Sequence, residues 1–220
     1  MAWNLNANGV YESVLLKSLP WLVHGFGTRI SAAWPGEYVS VKQIHSDRVS
    51  RADGNVGCFE EGDALVCSTP GMTIGIRTAD CVPVLIADPV KRVVAAAHAG
   101  WRGTAARIAQ RSIEKLKIEF GSQPEDLYAA IGPSIGECCF QVGPEVSAKF
   151  TTYFPQQQEL ATVNLVEVNR LQLMEAGLSS NHIDTASLCT VCQPALLHSF
   201  RRDREHSGRM ISAIGITPEK

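Results

Sequence analysis

Two apolar runs, CVPVLIA from Cys81 and RVVAAAH ending at His98, flank the residues DPVK. They read as two β-strands joined by a turn. A two-residue turn at Pro89 and Val90 would pair Asp88 with Lys91. Residue numbers across an antiparallel pair keep a constant sum, so this register sets Cys81 directly opposite His98. Such partners have β-carbons ~4.5–5.5 Å apart on one face. A single bulge would shift the register by one, and Pro83 is a point where the strand could become irregular. The simplest register therefore puts a thiol beside an imidazole at the end away from the turn. That pair could be half of a metal site, a histidine-activated thiolate, or a buried free cysteine.

Around the hairpin, VSVKQIHSDRV alternates like a strand, with His45 near its end. GDALVCS and MTIGIRTAD are further strands, with TPG as the turn between them. The run GTAARIAQRSIEKLKIEF has Ile108, Ser112, Ile113, Leu116 and Phe120 at helical spacing. Thr104 is its expected N-cap, and Gly121 closes it. LYAAIG and FQVG read as strands, PEVSAKFTTYF and NLVEVNRLQLMEAGL as helices. Hairpins mixed with helices indicate an α+β class. The 220 residues suit one domain, 1–220, with no internal repeat or linker to divide them.

A net charge of -2 argues against a broad phosphate-contacting stripe, so no nucleic acid is expected as partner. No apolar run approaches the ~20 residues of a membrane span, and the opening residues lack a signal-peptide pattern. The expectation is a soluble cytoplasmic monomer. The seven cysteines cannot all pair within the chain, so free thiols, metal ligands or nucleophiles are expected. Asp80 directly precedes Cys81. His98 leads into AGWRGT, where Arg102 and a helix start would make an anion-receiving corner.

The segments KQIHSDRV, GDALV, TADCVPVLIADP, AAHAGWRGT, IGPSIGECCFQVG and SFRRDREHSGR resemble the YfiH-like family. The family is also known as laccase-domain or polyphenol oxidase proteins, now described as purine nucleoside phosphorylases. The resemblance implies a layered α/β/β/α sandwich with mixed sheets. It also implies a zinc site of His45, Cys81 and His98. The implied activities are phosphorolysis of adenosine, inosine and methylthioadenosine, and adenosine deamination, with copper-dependent phenol oxidation in older descriptions. The expected partners are then a small nucleoside and phosphate. One departure is visible. After HGFGTR the family pattern continues through a longer stretch, whereas here Arg29 reaches His45 through ISAAWPGEYVSVKQI. If the piece absent here helps close the pocket in the family, its loss bears on substrate range.

Two imidazoles and a thiolate leave a zinc ion an open position, as catalytic sites require, and a water there ionises near pH ~7. Deamination also needs a carboxylate proton shuttle; Asp80, Asp63 and Glu137 are the candidates, with Asp80 alternatively orienting a ligand. Arg102 and Arg29 are the candidates for phosphate. Copper is the alternative metal. The chain has six histidines and no His-x-His pair, which disfavours the usual multicopper oxidase and leaves a mononuclear copper site. A Cys81–His98 hydrolase, with a cell-wall editing role as one version, and a closed structural zinc site with Cys138 as fourth ligand complete the alternatives. Cys189-x-x-Cys192 is a lone CxxC that would need a second ligand pair, which His198 or His206 could provide only loosely. A disulfide between the adjacent Cys138 and Cys139 is rare, and core packing is expected for one of them. His24 reads as structural, and RRDRE as a solvated charge run, although the resemblance implies an Arg-rich tail near the family's core elements.

Overall fold

Every residue of strands Val82–Asp88 and Val93–Ala99 is buried. A hairpin apolar on both faces must be covered on both, and the rest of the fold supplies the two covers. The structure, a computed structural model, describes residues 3–52, 57–156 and 161–218. In chain order the strands are β1 Trp3–Leu5, β2 Tyr11–Ser13, β3 Leu22–Phe26, β4 Val39–Lys42, β5 Val49–Arg51, β6 Gly57–Glu61 and β7 Ala64–Cys67. They continue as β8 Thr73–Thr78, β9 Val82–Asp88, β10 Val93–Ala99, β11 Tyr128–Ile131, β12 Ile183–Thr185 and β13 Met210–Ile216. The helices are α1 Val14–Lys17, α2 Trp101–Ala105, α3 Ile108–Phe120, α4 Pro144–Ser147, α5 Leu165–Glu175 and α6 Phe200–Asp203.

Two mixed sheets form, in the orders β1-β2-β3-β13-β8-β4-β6 and β12-β11-β9-β10-β7-β5. Leu65, Leu85, Val94 and Ala96 of the second sheet meet Ile74, Ile76, Ile214 and Phe26 of the first in one core. The opposite face of β9 and β10 (Val84, Ile86, Ala95, Ala97) packs under Ile108, Ile113 and Leu116 of α3 and Val168 and Leu173 of α5. The α+β class with mixed sheets is as expected from the sequence. Over the outer face of the first sheet lie Trp34 and Tyr38. There Gly25, Ala213 and Gly75 are register neighbours, and a β-carbon on Gly25 or Gly75 would stand 2.8 Å from the Trp34 or Tyr38 ring. No helix among the described residues is long and apolar enough to cross a membrane.

Several local expectations need correction. The hairpin does not turn at Pro89 and Val90 alone. Asp88 pairs with Val93, and His98 stands opposite Pro83 rather than Cys81. The cause is the buried Asp88 side chain, whose Oδ1 accepts the Val90 and Lys91 N–H groups at 2.8 and 2.9 Å. These bonds, with Arg92 at φ 52°, stabilise a four-residue loop. GDALVCS and MTIGIRTAD are strands but lie in different sheets, so TPG is a crossing between sheets and not a hairpin turn. VSVKQIHSDRV divides into β4 and β5, with His45 in the bend between them. The long helix breaks at Arg107, φ 64°. Gly100 caps α2, and Thr104 lies inside it with Oγ1 on the Ala99 carbonyl. FQVG makes only an isolated bridge, Gln141 to Thr162.

Gly132 follows β11 where the two sheets approach. A β-carbon there would lie 2.1 Å from the Phe26 ring, itself in the inter-sheet core. Gly132→Ala is expected to destabilise the protein by about 1–3 kcal/mol through overpacking, read as a lower urea midpoint with unchanged m-value.

Candidate active site

Alternation along β7, β9 and β10 decides which side chains face the first sheet. Leu65, Leu85 and Ala96 point into the inter-sheet core, so Asp63, Pro83 and His98 fall on the same side. Cys81 lies two residues before Pro83 and keeps that side. The hairpin's slip of two residues therefore moves Cys81 from direct to diagonal neighbour of His98 without turning it away. His45 arrives from the first sheet's side, in a bend held at φ 60°.

The ligand atoms of His45, Cys81 and His98 lie within 4.8 Å of one another. The two imidazole rings meet edge to face, with centroids 4.9 Å apart. Close approach depends on Gly100, where a β-carbon would stand 3.0 Å from Cys81 Sγ and 3.1 Å from His45 Cδ2. Asp63 organises the group. Its Oδ1 lies 2.8 Å from His98 Nδ1 and accepts the His45 N–H at 2.9 Å. Its Oδ2 accepts from Ile44 N, Ser46 N and Ser46 Oγ. With Nδ1–H committed to the carboxylate, His98 turns Nε2 toward the cluster.

Burial alone would raise the Cys81 thiol, but hydrogen bonds from His45 and His98 bring it down to about 6. Burial would lower His98, yet Asp63 and then Cys81 lift it to about 9. Burial raises the Asp63 carboxyl, and bonds from His98 and Ser46 more than offset this, leaving it below its usual range. Two nitrogens and one sulfur that ionises this readily suit zinc or copper. Cys138 is not a fourth ligand; it lies in a separate cluster. The three donors border a cavity of about 820 Å³ and so have an open side, as a catalytic metal site requires.

Tyr38, Phe140 and Phe200 give this cavity aromatic walls, and Arg77, Arg201, Arg204 and Arg209 give it positive charge. Arg201 spends its guanidinium on the Cys139 and Gln141 carbonyls. Arg77 and Arg204 make no ion pair among the described residues. Arg29 and Arg102, the sequence candidates for phosphate, do not line the cavity. Arg29 bonds the Pro194 carbonyl, and Arg102 stacks on Trp101 at 4.3 Å. Asp80 is on the wall, at φ 88°. Its oxygens accept from Thr190 Oγ1 at 2.5 Å and Arg201 N at 2.6 Å. Glu137 is exposed and lies outside the lining. His24 is structural, with Nε2 accepting the Ser13 N–H, and burial lowers its pKa to about 4. The arginine-rich tail reaches the cavity, as the resemblance implies and as its charge alone does not suggest. Its signal was the helix cap Ser199, whose Oγ accepts from Arg202 N and starts α6 at the cavity rim.

Residues 28–217 match the family described as multi-copper polyphenol oxidoreductase laccase, and the chain belongs to that family. It is 33% identical over 223 residues to a purine nucleoside phosphorylase, YlmD, of Bacillus subtilis (strain 168), covering 93% of this chain and 78% of that one. It is 35% identical over 196 residues to an adenosine deaminase of an unknown prokaryotic organism, covering 81% and 74%. The crystal structure of Bacillus licheniformis hypothetical protein YfiH superposes with a TM-score of 0.85 at 31% identity, covering 98% of this chain and 99% of that one.

Asp63→Asn is expected to weaken the affinity of this donor set for a divalent metal roughly 10- to 100-fold, measured by competition with a chromophoric chelator. In metal-free protein, iodoacetamide should alkylate Cys81 with a pH midpoint near 6, well below an ordinary thiol. Peptide mass spectrometry resolves Cys81 from the other cysteines, and a midpoint near 9 would contradict the thiolate assignment.

Proposed function

We propose that this chain, as one domain over residues 1–220, is a zinc-dependent purine nucleoside phosphorylase acting on adenosine, inosine and methylthioadenosine. One observation carries the reading: three metal donors open onto a cavity that combines aromatic walls with unpaired guanidinium groups. His45, Cys81 and His98 hold the zinc, which when bound supplies Lewis acidity at neutral pH. Asp63 keeps His98 in the tautomer that ligates. Arg77 and Arg204 take the phosphate dianion, in place of the Arg29 and Arg102 suggested by sequence. Tyr38, Phe140 and Phe200 offer ring faces to a purine. Phosphate replaces the base at the ribose anomeric carbon, and the base leaves with the glycosidic electron pair. Asp80 serves as a positioning residue, tying Arg201 and Thr190 to the cavity wall.

Adenosine deamination is the second reading. It needs a carboxylate free to shuttle a proton. Asp63 and Asp80 have both oxygens engaged, and Glu137 is off the cavity. That favours phosphorolysis. Copper in the same donor set, serving phenol oxidation, is the alternative metal; among the described residues, only one of the two potential metal clusters contains histidine.

Hypoxanthine should be released from inosine only when phosphate is present. Phosphate-independent release would indicate hydrolysis, and ammonia release from adenosine would indicate deamination. One equivalent of metal, identified by elemental analysis, should be lost in His45→Ala, Cys81→Ala or His98→Ala; retention in all three rejects the ligand set. Arg77→Ala and Arg204→Ala should each raise KM for phosphate roughly 10- to 100-fold, the worth of a hydrogen bond to a charged group, while changing KM for inosine little.

A further inference from the structure

Outside the cavity, the fold assembles a second group of soft ligands. β11 and β12 are parallel neighbours, with Ile131 beside Thr185. The loops leaving their C-terminal ends therefore run side by side, and a bridge between Ser134 and Cys189 extends the pairing. The first loop carries Cys138 and Cys139, the second Cys189 and Cys192. The CxxC thus finds its second ligand pair in the adjacent cysteines and not in His198 or His206. All four sulfurs lie within 4.8 Å of one another. Cys138 and Cys139 are 3.7 Å apart, Cys138 and Cys192 3.8 Å, Cys139 and Cys192 3.6 Å. A zinc–sulfur bond of ≈ 2.3 Å gives a tetrahedron edge of about 3.8 Å.

We propose that Cys138, Cys139, Cys189 and Cys192 form a tetrathiolate site for a zinc ion, separate from the His45/Cys81/His98 centre. Four protein ligands complete the tetrahedron, so the site is structural. Gly136 is shaped for it: a β-carbon there would stand 3.3 Å from Cys138 Sγ and 3.1 Å from Cys189 Cβ. Its N–H donates to Cys189 Sγ at 3.3 Å, the kind of bond that supports a ligating thiolate. Cys189 is accordingly drawn down to about 7. Its burial acts upward, but backbone N–H groups of Gly136, Cys192 and Val191 outweigh it. Cys139, facing neighbouring thiols, is pushed up to about 12.

The clamp would act on the cavity through the loops it joins. Ile135 and Phe140 on the first loop line the cavity. Thr190 on the second holds Asp80, and Arg201 reaches back to the Cys139 carbonyl. Zinc here positions those walls and takes no part in chemistry.

Elemental analysis and native mass spectrometry of the full chain, purified under reducing conditions, test the site. Wild type should hold two zinc equivalents. The His45→Ala/His98→Ala double variant should keep one, and Cys138→Ser/Cys192→Ser should keep the other. Cobalt loaded into the double histidine variant should give the intense sulfur-to-cobalt charge transfer and d–d bands of a tetrahedral thiolate. That measurement stands even if the cysteine variant fails to fold. A double histidine variant without metal overturns the proposal, as does a cluster isolated as a disulfide, two hydrogens lighter and metal-free. Neither result touches the nucleoside assay, so the two readings fail separately.

Discussion

The Asp63 carboxylate has no exposed surface, yet it accepts from three consecutive backbone N–H groups, Ile44 to Ser46, from the Ser46 hydroxyl, and from His98. Burying an ion costs several kcal/mol unless such partners repay it. Here they also carry information. The backbone bonds hold the bend that sets His45 at positive φ, and the side-chain bond fixes the His98 tautomer. One residue just before β7 thereby aligns imidazoles delivered from both sheets. The Asp63 carbonyl also takes the His98 N–H at 2.7 Å, so main chain and side chain anchor the same histidine.

The hairpin shows why the sequence led to the right neighbourhood through a wrong register. Strand periodicity is two, so an even slip leaves every side chain on its face. The four-residue loop produced by Asp88 shifts the pairing by two. Cys81 stays on the side of His98 and remains within ligand distance. A slip of one would have sent the thiol among the helices. His45 was not available from strand pairing at all, because it comes from the other sheet, and only the motif resemblance named it. The α+β class followed from the mixture of hairpins and helices. The assignment of strands to two sheets did not, because TPG looks the same as a hairpin turn or as a crossing.

Charge was the least legible property. The chain as a whole carries -2, and composition suggested no anion preference. The cavity nevertheless gathers four arginines from β8 and the C-terminal tail, with Asp80 as its one lining carboxylate among the described residues. Field in a cleft depends on the charges that line it and not on the sum over the chain. RRDRE reads as a solvated run because it is five charged residues in succession. What brings it inward is tertiary: Asp80 accepts the Arg201 N–H, and Arg202 bonds the Thr190, Val191 and Leu197 carbonyls.

The short connection from Arg29 to His45 has a consequence for the cavity. It covers the outer face of the first sheet with two aromatic side chains, made possible by the small row Gly25, Ala213 and Gly75. Tyr38, at its end, both packs over Gly75 and lines the cavity. The residue that seals the sheet is therefore one that a substrate would touch. Cover and wall are coupled through a single ring. Space beside the candidate donors is thus tied to the packing of the first sheet.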